Sequence, residues 1–468
     1  MALPKFIVLK SKFNNQYLRY VQEDSQVHSF LQFSGENVVS AFTKLEVVPA
    51  QTEGLVHLKC SYNNRYLVRW SPNHWWLVGA ANEPEEDQSK WSCTLFKPST
   101  VDNNQQTFRF LHVQLGHYAC LWRLAPPFGN CLLAESASID KDFSDVCIVI
   151  DVESLFVLPK YVGFKTEEHG KYLRGQTIER KPYLQFEASD ISDPAACHEA
   201  SFISDGSLRL KSNHFDKLWR LSSGSWILAD ADDTSASNEE TLFWPTKVHD
   251  DVVALRKLGN NNYCKRFTDT IRLSCLRAVD TEITKFSRLQ VKELVVSRKI
   301  SNVKFHTRDA RIYGKSVVPV ATGSTTNKNE QKTNVQVNLS YVDVKNSSWN
   351  STSTIKLGVP ITINSPFAFL VDESAFETIR EFEGSYKWGE IKESTREVEI
   401  AYIVDTLEGK SKVTVTLLGT RASADIPFSY TQHDILMDGK TVTYNMDDGL
   451  YTCSATFNLK YETKIEKV

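Results

Sequence analysis

The sequence predicts an all-β protein with two tandem β-trefoils followed by an elongated β domain. Two observations support this fold class. A hairpin-like unit of an apolar strand, a polar turn and an aromatic-Leu-Arg strand recurs three times, and then three times more. After Leu294 this unit ends, and the composition changes to long strands that alternate apolar and polar residues.

The repeated unit alternates with a period of two around a turn rich in Asn and Gly, which predicts a β-hairpin rather than a helix. It begins at six positions, in two groups of three: Phe6, His57 and Leu111, then Val162, Leu208 and Val253. One hairpin cannot bury its own apolar face, but three related pairs can close into a small barrel with a cap. That arrangement is the β-trefoil, and six unrelated hairpins in a β-sandwich are the alternative. We place the trefoils at residues 1–153 and 154–296.

The third domain is expected at residues 297–468. Tryptophan falls there to Trp349 and Trp388, while Thr, Ser, Val and Lys increase in strands such as 333–341 and 412–418. The strict alternation over such lengths indicates strands with one apolar and one polar face. This domain is therefore predicted to be all-β and elongated.

Composition limits the functional classes and the compartment. Hydrophobic residues make up 41% and charged residues 24%, which is typical of a folded globular protein. The net charge of −3 argues against nucleic acid as a partner. An apolar run at the start is broken at Lys10, and nine cysteines occur without C-x-x-C spacing. We therefore expect free thiols and a cytoplasmic or nucleocytoplasmic protein.

Residues 59–98, 111–118 and 215–228 closely resemble amaranthin-type plant lectins. The first of these stretches contains Tyr66-Leu-Val-Arg-Trp-Ser-Pro-Asn-His-Trp-Trp, and the last begins Phe215-Asp-Lys-Leu-Trp-Arg. The resemblance covers both predicted trefoils. It implies binding of GalNAc or the Gal-β1,3-GalNAc disaccharide at a shallow site between the first trefoil of one subunit and the second of its partner. It therefore also implies a homodimer, whose two sites would raise avidity.

A candidate sugar site lies on the turn that contains Asn73, His74, Trp75 and Trp76. Sugars are bound by flat aromatic faces and by fixed hydrogen-bonding side chains, and this turn supplies both. The resemblance favours ligand contact for the first three residues, although the family pattern has tyrosine in the place of Trp75. For Trp76, whose place matches Trp226, a core role is favoured.

The other half of the dimer site is harder to place from the sequence. The candidates are Asn213, His214 and Asp230, each of which is better explained as a turn residue.

Four short stretches of the third domain resemble the stem and receptor region of aerolysin-like β-pore-forming toxins: 365–366, 385–390, 412–418 and 426–430. Together with the lectin resemblance they imply a plant chimerolectin for defence. They also imply a module that forms higher oligomers on membranes.

A membrane-inserting hairpin is predicted near residues 338–370, with residues 347–354 of its first arm lining water. In the other arm apolar residues take every odd position: Ile355, Leu357, Val359, Ile361 and Ile363. A barrel strand needs roughly 9–11 residues to span a membrane, and residues 354–364 meet that length. The alternative is an amphipathic strand that stays on a sheet. Pro360 lacks the N–H that a barrel ladder uses.

No enzyme signature is found. His198-Glu-Ala-Ser is not an H-E-x-x-H zinc motif, and the stretch from Asp230 lacks the glycine and the closing carboxylate of a calcium loop. We therefore expect neither catalysis nor a metal or other cofactor. Three alternatives remain: a fascin-like trefoil scaffold that binds protein filaments, a lectin that steers a hydrolase, and a lectin whose tail serves only for oligomerisation.

Overall fold

The computed structural model describes residues 3–101, 106–235, 238–351 and 389–468, and the backbone of residues 361–370 and 377–386. Within these ranges the chain forms 32 β-strands and five short 3₁₀ helices, without an α-helix. The 3₁₀ helices are Val152–Ser154, Pro194–Ala196, Ser223–Ser225, Glu239–Thr241 and Thr307–Asp309. No helix in the described part of the chain is long and apolar enough to cross a membrane. The predicted all-β class is confirmed.

The first unit is a β-trefoil. Its strands are β1 Phe6–Ser11, β2 Tyr17–Tyr20, β3 Leu31–Gly35, β4 Leu45–Pro49, β5 Val56–Cys60, β6 Tyr66–Ser71, β7 His74–Ala81, β8 Leu95–Thr100, β9 Thr107–His112, β10 His117–Leu121, β11 Leu132–Ser136 and β12 Cys147–Asp151. Strands β1, β4, β5, β8, β9 and β12 pair antiparallel in a closed ring. The other six strands form three hairpins that cap this barrel.

The second unit repeats this topology. Its strands are β13 Tyr161–Thr166, β14 Tyr172–Ile178, β15 Lys181–Ala188, β16 His198–Phe202, β17 Leu208–Ser212, β18 Lys217–Leu221, β19 Ile227–Ala231, β20 Phe243–His249, β21 Val252–Lys257, β22 Asn262–Phe267, β23 Cys275–Asp280 and β24 Leu289–Glu293. Strands β13, β16, β17, β20, β21 and β24 close the barrel. The tandem trefoils are therefore confirmed.

All six repeats share two backbone features that explain the recurring sequence. One turn residue has a positive φ of 55–66° in each repeat: Asn15, Asn64, Gly116, Gly170, Asp216 and Asn261. Gly, Asn and Asp tolerate this left-handed conformation better than other residues do. The pairing register also shifts at the second or third residue of the next strand, for example between Tyr17 and Leu18. Such a bulge bends each hairpin onto the barrel.

Each barrel has its own apolar core. In the first trefoil, inward-facing residues such as Leu9, Leu58 and Phe110 are buried, and in the second Trp219 is fully buried beside Phe164. The nine cysteines are all buried thiols. Two separate cores indicate two trefoils that fold around their own centres.

The third unit is one long sheet. Its strands are β25 Val295–Phe305, β26 Arg311–Asn327, β27 Thr333–Ser351, β28 Ile361–Leu370, β29 Glu377–Tyr386, β30 Lys392–Leu407, β31 Ser411–Leu436 and β32 Thr441–Lys467. The order is β29-β28-β25-β31-β32-β27-β30, and β26 also pairs with β31. At about 3.3 Å per residue, β31 extends for roughly 85 Å. The predicted elongated β domain is confirmed, and we call it the long module.

The pairing of the predicted membrane hairpin differs from our expectation. Strand β27 pairs with β30 and β32, whereas β28 pairs antiparallel with β29 and parallel with β25. The described parts of this stretch, residues 338–351 and 361–370, therefore do not pair with each other, and the predicted pairing is wrong for these residues. The described part of the first arm, residues 347–351, is buried or half-buried. Trp349 is 2% exposed and packs against Phe428 and Tyr451, because a large aromatic ring gains most by burial.

The residues predicted to face lipid divide into two groups. Ile355, Leu357 and Val359, together with Pro360, lie outside the described residues. Ile361 and Ile363 belong to β28, where they pair with Tyr386 and Gly384 of β29.

Candidate functional site

The turn between β6 and β7 presents the predicted sugar-binding residues at the surface. Ser71 and His74 pair as the ends of a two-residue loop formed by Pro72 and Asn73. Proline is favoured at the first central position of such a turn because its φ is already fixed. The Ser71 hydroxyl lies 2.7 Å from Nδ1 of His74 and accepts a hydrogen bond from the Asn73 amide at 3.2 Å. The side chains of Asn73, His74 and Trp75 are exposed.

Arg69 holds this turn from below. Its guanidinium donates to the carbonyl of His74 at 3.0 Å, to that of Pro72 at 2.8 Å and to the side chain of Gln114 at 2.9 Å. Arg69 is only 4% exposed, and burial lowers its pKa from the ordinary value. The planar fork of arginine suits three acceptors at fixed positions. Arg69 thereby ties the turn to the third repeat of the first trefoil.

Two exposed indole rings flank the turn. Trp70 is 45% and Trp75 42% exposed, which is unusual for residues of this size. The Trp70 ring lies 4.5 Å from His74, and the Trp75 ring meets His117 edge-on at 5.3 Å. A register shift between Arg69 and Ser71 leaves Trp70 unpaired in the ladder, so that Arg69 is buried while the next residue is exposed. The result is an uncharged aromatic surface with polar side chains at its tip.

Trp76 points away from this surface. Its ring stacks on Phe128 at 5.3 Å and meets Trp122 edge-on at 5.6 Å, under the hairpin cap. Its counterpart Trp226 is 6% exposed. The packing of both residues agrees with the core role favoured for Trp76.

The candidates in the second trefoil lie on different elements of the fold. Asn213 and His214 lie on the β17–β18 turn, where the amide of Asn213 contacts the sulfur of Cys197 at 3.0 Å. Asp230 was predicted as a turn residue, but it lies in β19 and pairs with Arg220 through two hydrogen bonds of 2.9 and 2.8 Å. A carboxylate bound in this way by arginine is a structural partner rather than an open acceptor.

The sequence reasoning missed four residues around the turn: Arg69, Trp70, Gln114 and His117. All four lie in stretches that carry the lectin resemblance, 66–76 and 111–118. The resemblance marked the stretches, but only the fold shows that the third repeat lies beside the β6–β7 turn.

Two parts of the chain match a known protein family. The family model of the Agglutinin domain matches residues 1–151 and 156–293. No curated protein sequence matches the chain. Among solved structures, it is similar to the hemolytic lectin CEL-III at 8% identity, over 100% of this chain and 94% of that one, with a TM-score of 0.31.

Two further solved structures are similar at the same low level. A mosquitocidal holotoxin shares 12% identity over 64% of this chain, with a TM-score of 0.30. The match covers only 35% of the holotoxin chain. An aerolysin-like protein of Bombina maxima shares 13% identity over 36% of this chain and 99% of its own, with a TM-score of 0.25. The two matched Agglutinin domains coincide with the two trefoils and cover more than half of the sequence. The chain therefore belongs to the Agglutinin-domain family and carries two such domains in front of its long module.

Proposed function

We propose that the protein is a lectin that binds GalNAc or Gal-β1,3-GalNAc glycans through the β6–β7 turn of its first trefoil. The observation that carries this proposal is the arrangement of Asn73, His74 and Trp75 on a turn fixed by the buried Arg69. An amide and an imidazole can donate to and accept from sugar hydroxyls, and an indole face can pack on the C–H surface of the ring. The absence of an acidic or basic side chain at positions 70–76, apart from His74, suits an uncharged ligand.

A homodimer that joins this turn to the second trefoil of a partner subunit is part of the same proposal. Asn213 and His214 remain candidates for the partner half, because His214 is exposed. Asp230 is a poorer candidate, since Arg220 occupies both of its oxygens.

A glycan array with the wild type and two variants tests the sugar assignment. We expect Asn73→Ala and Trp75→Ala to lose binding to GalNAc-terminated glycans. Trp91→Ala is the matched control, because Trp91 is 40% exposed in the same trefoil but lies outside the turn. Equal binding by the wild type and Asn73→Ala would overturn the assignment.

We further propose that the β28–β29 hairpin is the part of the long module that enters membranes, in a stored defence protein made in the cytoplasm. The supporting observation is its attachment. Only three residues of β28, Ile361 to Ile363, pair with β25, whereas β28 and β29 pair with each other along their whole length. A hairpin that keeps its own ladder can leave the sheet at the cost of few hydrogen bonds. The alternation of Ile361, Ile363, Phe367 and Phe369 predicts one apolar face.

Dye release from liposomes that carry a GalNAc-terminated glycolipid tests this second proposal. We expect leakage by the wild type and its loss in Ile363→Glu, since a charge on the lipid face of a barrel is destabilising near the membrane centre. Thr362→Glu is the control on the opposite face and keeps leakage. If the wild type binds these liposomes without leakage or SDS-resistant oligomers, the long module is not a pore-forming one.

A further inference from the structure

A cavity of about 350 Å³ lies where the second trefoil meets the long module. The trefoil contributes residues 157–161, β16 and β24 to its wall, and the long module contributes β25, β31 and β32. The volume lies in the range of small-molecule pockets in proteins. The described residues that line the cavity include none from the β6–β7 turn, so it is separate from the proposed sugar site.

Buried charged groups form the polar end of this cavity. Arg298 is 4% exposed and donates through Nε and Nη2 to the two carboxylate oxygens of Asp434, at 2.7 and 2.8 Å. Nη2 also donates to Oε1 of Glu293 at 2.7 Å. The side chain of Glu293 is only 8% exposed. All three residues line the cavity, and their bonds fix the guanidinium in one orientation.

Two atoms of this cluster retain unused hydrogen-bonding capacity. Nη1 of Arg298 and Oε2 of Glu293 are buried, and neither has a hydrogen-bond partner in the part of the chain that the structure describes. Buried donors and acceptors are normally paired, because an unpaired one costs free energy. The two atoms lie near each other, since each shares a carbon with one atom of the 2.7 Å pair between Nη2 and Oε1. One small group can therefore accept from Nη1 and donate to Oε2.

The charges around the cavity disfavour an ionic ligand. An anion would meet two carboxylates at the polar end, those of Glu293 and Asp434. A cation would leave Nη1 of Arg298 without an acceptor. It would also meet the ammonium of Lys160, which lies 4.6 Å from the centre of the Tyr444 ring in the cavity wall. An uncharged head that both donates and accepts a hydrogen bond fits this end best.

The rest of the wall is largely apolar. It includes Leu158 and Phe202 from the trefoil and Val295 and Met446 from the long module. Transfer of an alkyl chain from water to such surroundings is favourable, and the flexible methionine side chain adapts to the shape of a ligand. A ligand that fills both ends therefore combines an uncharged polar head with a short apolar body.

We propose that this cavity binds an uncharged amphiphile whose head accepts a hydrogen bond from Arg298 and donates one to Glu293. Its apolar body lies between the second trefoil and the long module. Because the ligand contacts both units, its binding stabilises the folded chain in which they are joined. Charged amphiphiles of the same length bind more weakly.

Isothermal titration of the full chain at pH 7 with three eight-carbon probes tests the proposal: octanamide, octanoate and octylammonium. We expect octanamide to bind at least tenfold more tightly than either ion. Glu293→Gln places an amide N–H at the free acceptor and should weaken octanamide binding roughly tenfold, the effect of losing one bond to a charged group. Glu167→Gln is the matched control and should bind as the wild type does, because Glu167 is an exposed carboxylate of the same trefoil outside the cavity wall.

Asn73→Ala separates this proposal from the sugar assignment. It should bind octanamide with unchanged affinity, and loss of octanamide binding in this variant would place the probe at the β6–β7 turn and overturn the proposal. Equal affinity of the wild type for the three probes, or unchanged octanamide binding by Glu293→Gln, would also overturn it.

A crystal of the wild type soaked with octanamide gives a readout that does not depend on the folding of a variant. The amide should lie within hydrogen-bonding distance of Nη1 of Arg298 and Oε2 of Glu293, with its alkyl chain against Phe202. Ordered water alone on these two atoms, in a crystal where the cavity is open to the soak, would overturn the proposal.

Discussion

Tyr20 donates a 2.6 Å hydrogen bond to Asp309, a residue 289 positions away in the chain. Both groups are buried, so this bond joins the first hairpin of the lectin part to the first turn of the long module without access to water. Further polar contacts join the two units, such as the hydrogen bond from the side-chain amide of Asn64 to Asp425 at 3.0 Å. Asp309 also accepts from Tyr62 at 3.4 Å and lies 2.8 Å from Nε2 of His28, so loss of the Tyr20 hydroxyl removes one of three side-chain partners.

Tyr20→Phe should lower the free energy of urea unfolding by about 1.5–3 kcal/mol, the typical contribution of a hydrogen bond to a charged group. Tyr17→Phe is the control, because Tyr17 is also buried in β2 but the charge that acts on it is Asp205 rather than Asp309. An equal loss in the two variants would show that the Tyr20 phenol has no special role in docking.

Arg69→Lys should weaken glycan binding by roughly tenfold while the far-ultraviolet circular dichroism stays unchanged, because an ammonium group cannot reproduce the forked bonds to Pro72, His74 and Gln114. Isothermal titration with GalNAc measures the change. Arg123→Lys alters a surface ion pair of the same trefoil and serves as control. Unchanged affinity in Arg69→Lys would show that the turn keeps its shape without the guanidinium.

Lys257 gives the second trefoil a distinctive alkaline response. It is fully buried, donates to the carbonyls of Glu239 and Leu242, and burial lowers its pKa to about 8. Because the folded-state pKa lies below that of the unfolded chain, the unfolded state binds more protons between about pH 8 and pH 10.5. Stability should therefore rise by about 3 kcal/mol across that range relative to Lys257→Met.

The difference between the wild type and Lys257→Met, measured by urea unfolding at several pH values, isolates this effect. Loss of the two hydrogen bonds in the variant gives an offset that does not change with pH. Parallel stability curves for the two proteins would contradict the prediction.

His198 should make the second trefoil sensitive to acid. Its ring is fully buried 4.8 Å from Trp219, and burial lowers its pKa to about 4. The unfolded chain binds the proton first as the pH falls, so stability is lost between about pH 6.5 and pH 4, by about 3 kcal/mol. Burial also lowers the pKa of His112 to about 4, which predicts the same response in the first trefoil.

Thermal unfolding across this pH range, compared between the wild type and His198→Phe, measures the contribution. The variant should lose part of the acid sensitivity. A steeper acid response in the variant would contradict the assignment of a neutral buried ring.

The repeats could be predicted from the sequence because each local signal agrees with the others. An Asn, Asp or Gly at the left-handed turn position and an aromatic residue beside the bulge recur in every repeat, so each hairpin can be recognised from its own sequence. The β6–β7 turn was found for a similar reason, since polar and aromatic residues beside a Pro-Asn pair are rare in a core. Arg69 was not, because a buried arginine in a strand resembles any alternating polar residue.

Partners across the long module could not be predicted in the same way. Alternation fixes which face of a strand is apolar but not which strand lies beside it, so β27 was paired with the wrong neighbour. Asp230 has the appearance of a turn residue until the pairing of β18 with β19 places Arg220 opposite Leu228, two residues before Asp230. The contact of residues 306–314 with the first trefoil was not predicted either. Thr307-Arg308-Asp309 looks like an exposed turn in the sequence, and only the fold shows that the trefoil covers Asp309.

The central claim is that the β6–β7 turn binds the sugar, and a crystal of the wild type soaked with Gal-β1,3-GalNAc tests it most directly. The account predicts electron density for the disaccharide within hydrogen-bonding distance of Asn73 and His74, packed on the ring of Trp75. Well-defined disaccharide bound elsewhere on the trefoils, with this turn accessible in the crystal and empty, would contradict it.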